Sequence, residues 1–128
     1  MPHIFILDDD EDLLLSQRLV LESAGFSVSS AFELEPALES IRTIRPDLIL
    51  VDLMMEHYDT GFVFAKKVRD TPSLSGVPVI MQTAASEKLR VDLKSLPQGD
   101  QAWTHVDEIL TKPVAGDTLV ATIRRHLA

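Results

Sequence analysis

The chain has 128 residues, a formal net charge of −8 and no cysteine. One domain of this size buries a real core without staples, and disulfides, thiol chemistry and thiolate metal sites are excluded. An acidic surface repels nucleic-acid phosphates and anionic membranes, so neither is an expected partner.

Short apolar runs alternate with helical stretches along the whole chain. "HIFIL" (3–7) reads as a strand. Residues 10–24 read as a helix with Asp10, Glu11 and Asp12 in its first turn, where the helix dipole favours acids, and Gly25 as its stop. "FSVSSA" (26–31) alternates like a weaker strand, and residues 34–44 form a short helix broken at Pro46. "DLILVD" (47–52) is continuously apolar, the pattern of a strand covered on both faces. A helix is expected over 61–70, a buried strand over 77–82 ("VPVIMQ") and a helix over 86–95. "EILT" (108–111) makes a fifth strand and 116–127 a last helix. No apolar run approaches the roughly 20 residues of a membrane span, and the start lacks the features of a signal peptide. The expectation is one cytoplasmic domain, residues 1–128, with no second domain following.

Five strands alternating with five helices predict an α/β fold with a parallel sheet covered on both faces. In such sheets the working site lies beyond the carboxyl ends of the strands. There the sequence places Asp8 and Asp9 after the first strand, Asp52 at the end of the third, Thr83 and Ala84 after the fourth, and Thr111, Lys112 and Pro113 after the fifth. Two unit charges about 5 Å apart cost about 3 kcal/mol at an effective dielectric of 20, so three converging carboxylates need cations. Lys112 offsets part of the charge, and a hard divalent ion such as magnesium, which takes carboxylate oxygens, offsets more. Carboxylate nucleophile, magnesium, hydroxyl and lysine together suit phosphoryl transfer.

At these residues the chain resembles the receiver domains of bacterial two-component response regulators, the CheY-like family. "FILDDDEDLL" resembles the acidic-pair motif, "PDLILVDLMM" the phosphoacceptor motif, "VPVIMQTA" the fourth-strand motif and "ILTKPV" the fifth-strand motif. The resemblance implies a flavodoxin-like three-layer sandwich with strand order 2-1-3-4-5. It implies Asp52 as acceptor of a phosphoryl group from a histidine kinase or histidine phosphotransfer protein. Asp8, Asp9, Asp52 and the backbone carbonyl of Met54 would hold Mg2+, with Thr83 and Lys112 on the phosphoryl oxygens and a commonly cis proline after the lysine. Output would pass to a downstream protein target or to another histidine by relay, with no enzyme activity beyond self-phosphorylation and self-dephosphorylation.

The sequence departs from the family pattern at several places. "MMEHYDTGF" replaces the usual proline with Glu56 and lengthens the loop by one residue; Glu56 and His57 stand beside the site and read as solvated loop residues, or else as groups that reach it. Ile109 stands where the family carries a switching aromatic. The stretch 96–107, with Trp103, is longer than usual and reads as a loop that Trp103 pins to the body, or else as a partner contact. Met54 and Ala85 occupy positions that tune phosphoryl lifetime; neither side chain orients an attacking water, so self-dephosphorylation is expected to be slow. Three consecutive leucines, 13 to 15, cannot all face the sheet; Leu13 is placed on one face with Val20, Leu21 and Ala24, leaving Leu14 or Leu15 exposed as a contact for the kinase, which the family docks through this helix, or else partly buried against the last helix. His3, His105 and His126 show no ligand spacing and read as surface or edge residues.

Other readings fit less well. An aspartyl phosphatase of the haloacid-dehalogenase type wants an acid where Met54 stands, and a cap domain as well. A flavodoxin-type carrier wants a hydroxyl- and glycine-rich phosphate loop where this chain has "DDDED". A receiver cut from a larger regulator or hybrid kinase carries the same residues as a stand-alone one.

Overall fold

The structure, a computed structural model, describes residues 1–52, 60–84 and 106–128. In chain order they form β1 (His3–Leu7), α1 (Glu11–Ser23), β2 (Ser27–Ala31), α2 (Leu34–Thr43), β3 (Leu48–Asp52) and α3 (Thr60–Asp70). A 3-10 turn (Pro72–Leu74), β4 (Val79–Ala84), β5 (Glu108–Lys112) and α4 (Gly116–Leu127) follow. The strands build one parallel sheet in the order β2-β1-β3-β4-β5, as expected. The helix expected over 86–95 lies outside the described residues.

Strand alternation divides the core into two layers. Phe5, Leu7, Ile49, Val51, Val79 and Met81 face α2 and α3, where they meet Leu38, Ile41, Phe64 and Val68. The rings of Phe5 and Phe64 stack with centroids 6.3 Å apart. Ile4, Ile6, Leu48, Leu50 and Ile80 face the other way, onto Leu14 and Leu21 of α1 and Leu119 and Ile123 of α4. Every residue of β3 is buried, which explains its unbroken apolar run.

Local chemistry sets the element ends. Asp10 is the N-cap of α1, not its first helical residue; its carboxylate accepts the Leu13 N–H at 3.1 Å. Gly25 leaves the helix at φ +98°, a conformation costly for any other residue. The expected strand 77–82 starts two residues late. The Val77 N–H is taken by Leu74 O of the preceding turn, and Pro78 has no N–H to give a ladder, so pairing begins at Val79 opposite Ile49. The strand then runs on to Ala84 and carries Thr83 inside it.

On α1 the buried stripe is Leu14, Gln17 and Leu21, whereas Leu13 is only half-buried. The leucine left outside is Leu15, 59% exposed, joined by Leu19 at 58%. His3 is half-buried, its ring nitrogens each 2.7 Å from a β2 hydroxyl, those of Ser27 and Ser29. His105 lies outside the described residues.

Two polar clasps fix the amino end of β5. Arg69 donates to Val77 O and to Asp107 Oδ2, both at 2.6 Å, and the same Asp107 oxygen accepts the Val79 N–H at 2.7 Å. One residue on, Glu108 accepts from Arg125 and pairs with His126 Nε2 at 2.7 Å, tying β5 to the end of α4. The His126 hydrogen bond holds the Glu108 carboxyl below the usual carboxylate range; burial opposes this and Arg125 adds to it. A depressed carboxyl stabilises the fold fully above its unfolded value of about 4.3, and the contribution is lost as pH falls through the lower folded value. Glu108→Gln is therefore expected to flatten the acid limb of the stability profile, measured as the urea midpoint between about pH 6 and pH 3.

Candidate functional site

Asp8 continues directly from β1. Its backbone N–H donates to Ala31 O at 3.2 Å, and its Oδ1 accepts the Asp10 N–H at 3.0 Å, which turns the chain into α1. Asp8 is fully buried and Asp9 is exposed. Asp52 closes β3 and is buried as well. One carboxylate oxygen from each of Asp8, Asp9 and Asp52 lies within 4.8 Å of the others. The adjacency of β1 and β3 in the sheet is what brings them together.

Lys112, the last residue of β5, reaches back across β4. Its Nζ lies 3.0 Å from Asp8 Oδ2 and 3.2 Å from Asp52 Oδ1. Burial pulls the ammonium toward its neutral form, but the charges of Asp8 and Asp52 and the hydrogen bonds to them outweigh it, and its pKa stands above the ordinary lysine value. Lys112 therefore stays charged throughout the neutral range.

One ammonium cannot neutralise three carboxylates at this spacing. The donor set is all oxygen, anionic and close enough to converge on one small ion, which is what a hard divalent cation such as magnesium requires. The residues present fit that ion. The carbonyl of Met54, assigned to the same set, lies outside the described residues, as do Glu56, His57, Ala85 and Trp103.

Thr83 is buried near the carboxyl end of β4, beside Gln82 and opposite Thr111 of β5. The Lys112–Pro113 peptide is cis. Ile109 is partly buried and packs on the core layer that faces α2 and α3. One feature close to the site had no sequence signal strong enough to find it. Gln17 of α1 and Gln82 of β4 are both buried and hydrogen-bond to each other. A glutamine closing an apolar strand reads as an edge, not as half of a pair 65 residues apart.

Buried acids at the ends of β1 and β3, bridged by a lysine from β5 on a 2-1-3-4-5 sheet, define an open parallel α/β domain with an acidic site at the carboxyl edge of the sheet. Residues 4–124 match the response regulator receiver domain family, and the chain belongs to it. It is 36% identical over 125 residues to the transcriptional regulatory protein CseB of Streptomyces coelicolor, covering 98% of this chain and 49% of that protein. It is 33% identical over 124 residues to the DNA-binding response regulator MtrA of Mycobacterium tuberculosis, covering 97% of this chain and 50% of that one. The chain thus spans about half the length of these curated relatives. Among solved structures, the chemotaxis response regulator CheY4 of Vibrio cholerae superposes with a TM-score of 0.82 at 25% identity, over 99% of each chain. Receiver domains are signalling domains and not classical enzymes, and phosphorylation and magnesium are general features of the family.

Because the folded-state pKa of Lys112 is raised, its pairing stabilises the fold fully below the unfolded value of about 10.4 and is lost as pH rises through the folded value. Lys112→Met leaves two buried carboxylates without their ammonium and is expected to cost about 3 kcal/mol in urea denaturation with chelator present. Excess magnesium should restore part of that loss.

Proposed function

We propose that this chain receives a phosphoryl group on Asp52 and signals through the phosphorylated form. The donor is a histidine kinase or histidine phosphotransfer protein. The observation that carries the reading is the bridge from Lys112 to both Asp8 and Asp52, with Asp9 completing an acid cluster around it.

An oxygen of Asp52 attacks phosphorus, and a P–O bond forms as the P–N bond of the donor phosphohistidine breaks. The bonding pair stays on the imidazole nitrogen, which then takes a proton from water. Burial of Asp52 keeps the nucleophile from competing water. The Lys112 ammonium exchanges carboxylate oxygens for phosphoryl oxygens, and the Thr83 hydroxyl donates to another. Asp8, Asp9, Asp52 and the Met54 carbonyl would hold magnesium, which would supply charge neutralisation for the phosphoryl group.

The output is phosphorylation-dependent protein binding, or relay to a further histidine, in the cytoplasm. Among the described residues no helix is long and apolar enough to cross a membrane. The net charge of −8 argues against direct contact between this chain and nucleic acid. One observation favours a second reading, in which the chain is the receiver half of a longer transcriptional regulator: its curated relatives are about twice as long. DNA contact would then belong to the other half. An immunoblot of source cells that shows a product near 14.2 kDa supports the stand-alone reading, and one near twice that mass supports the second.

Incubation with a small acyl phosphate and magnesium should add one phosphoryl group by intact mass. Asp52→Ala should abolish the gain. An Asp52→Ala protein that gains the same mass would place the acceptor elsewhere.

The exposed leucines of α1 are the proposed kinase contact. Leu19 lines a groove between α1 and α4 with Val20, Ala24, Gly116 and Val120. Leu15→Asp with Leu19→Asp is expected to slow transfer from the cognate kinase at least about tenfold, as loss of an apolar anchor does. The rate with acyl phosphate should not change. Equal losses with both donors would mean that the substitutions damage the site or the fold.

A further inference from the structure

Two buried amides take no part in the phosphoryl chemistry above. Gln17 Nε2 donates to Gln82 Oε1 at 2.7 Å, and Gln82 Nε2 donates back to Gln17 Oε1 at 3.3 Å. Both residues are nearly sealed from solvent, at 6% and 1% exposed. Leu14 and Leu21 lie on the same buried stripe of α1 as Gln17, and Ile80 precedes Gln82 on the same face of β4. Two apolar side chains of similar volume would fill this space without desolvating amides. The pair therefore specifies a geometry that apolar packing would leave looser.

Its position says which geometry. Gln82 pairs in register with Asp52, and the next residue is Thr83. Strand alternation puts its side chain on the sheet face that α1 covers. Gln17 stands two turns into α1, the helix whose N-cap, Asp10, closes the turn made by Asp8 and Asp9. Two of the site's parts belong to the elements that the pair joins: the acid turn leads into α1, and Thr83 lies on β4. Repulsion among Asp8, Asp9 and Asp52 pushes the acid turn outward. A short hydrogen bond from α1 to β4 directly behind the cluster resists that push.

We propose that Gln17 and Gln82 are positioning residues for the phosphoryl site, their amide pair setting the separation of the acid turn from the strand that carries Thr83. The inference rests on the reading of Asp52 as acceptor. Without the pair, the acids relax apart, converge less well on a cation, and present a wider gap to the incoming phosphoryl group.

The test uses the full chain with three changes: Gln17→Met, Gln82→Met, and both together. Magnesium alone is titrated and followed by the amide resonances of Asp8 and Asp9. Thermal unfolding is recorded in chelator, and phosphorylation by acyl phosphate is timed by intact mass. Each single variant strands a buried amide and should lose several degrees of Tm. The double variant should recover the wild-type Tm or exceed it. All three should bind magnesium about tenfold more weakly, the lower end of what outer-shell partners contribute, and accept phosphoryl more slowly. Gln82→Asn, one methylene shorter, should weaken magnesium binding as well, and it carries the test if the methionine variants fail to fold. A folded double variant with wild-type magnesium affinity and phosphorylation rate would overturn the inference alone. A wild-type chain that neither binds magnesium nor gains a phosphoryl group would overturn the acceptor reading, and this inference with it.

Discussion

The site is organised by an unequal contest of charge. Three carboxylates converge at the carboxyl edge of the sheet, and one ammonium faces two of them. Coulomb repulsion at this spacing is worth about 3 kcal/mol per pair of ionised acids at a protein-like dielectric, comparable to a large share of a small domain's net stability. Lys112 makes the cluster tolerable and leaves it incompletely neutralised. That residual negative charge suits a hard divalent cation, and magnesium is a general feature of the family. The cluster is a cost to folding that the rest of the fold must offset.

The sheet supplies the stability that such a site consumes. β3 is buried along its whole length, and each core layer is built from residues that alternate along the same strands. Because every strand runs parallel, all carboxyl ends lie at one edge, and acids from β1 and β3 meet a lysine from β5 without any long loop having to place them. The opposite edge is held by ordinary neutralised pairs, Arg69 with Asp107, and Glu108 with Arg125 and His126. Charge is satisfied at one end of the sheet and left in tension at the other.

Most of this was legible in the residues. The apolar runs located β1, β3 and β5 within a residue or two, and the acids and lysine that follow them are the ones that meet. What was misread has local causes. Pro78 lacks an N–H and Val77 spends its own on a turn, so β4 slides two residues toward Thr83. The orientation of α1 was placed one leucine off because the buried stripe is centred on Gln17, a residue type that apolar periodicity discounts. Its partner lies on a strand 65 residues away, and no periodicity connects two side chains across that distance. The clasp of Arg69 on Asp107 was hidden in the same way: each residue reads as a solvated surface charge until the sheet brings them to 2.6 Å.

Ile109 narrows how a change at the proposed phosphoryl site could be read out. A ring at this position in the family turns inward when the threonine moves. A branched aliphatic side chain, already packed on the core with Val106, has neither the reach nor the polar tip for that exchange. Conformational response at β5 must then come from aliphatic repacking, which close-packed interiors permit only in small steps. Polar contacts near the site lead instead to α1, through the amide pair whose Gln82 is in register with Asp52 and through the Asp10 cap that ends the acid turn. Hydrogen bonds are directional and short-ranged, so a shift of a few tenths of an ångström at β4 or at the acid turn alters them more than it alters dispersion contacts. The outward face of that helix carries the exposed Leu15 and Leu19.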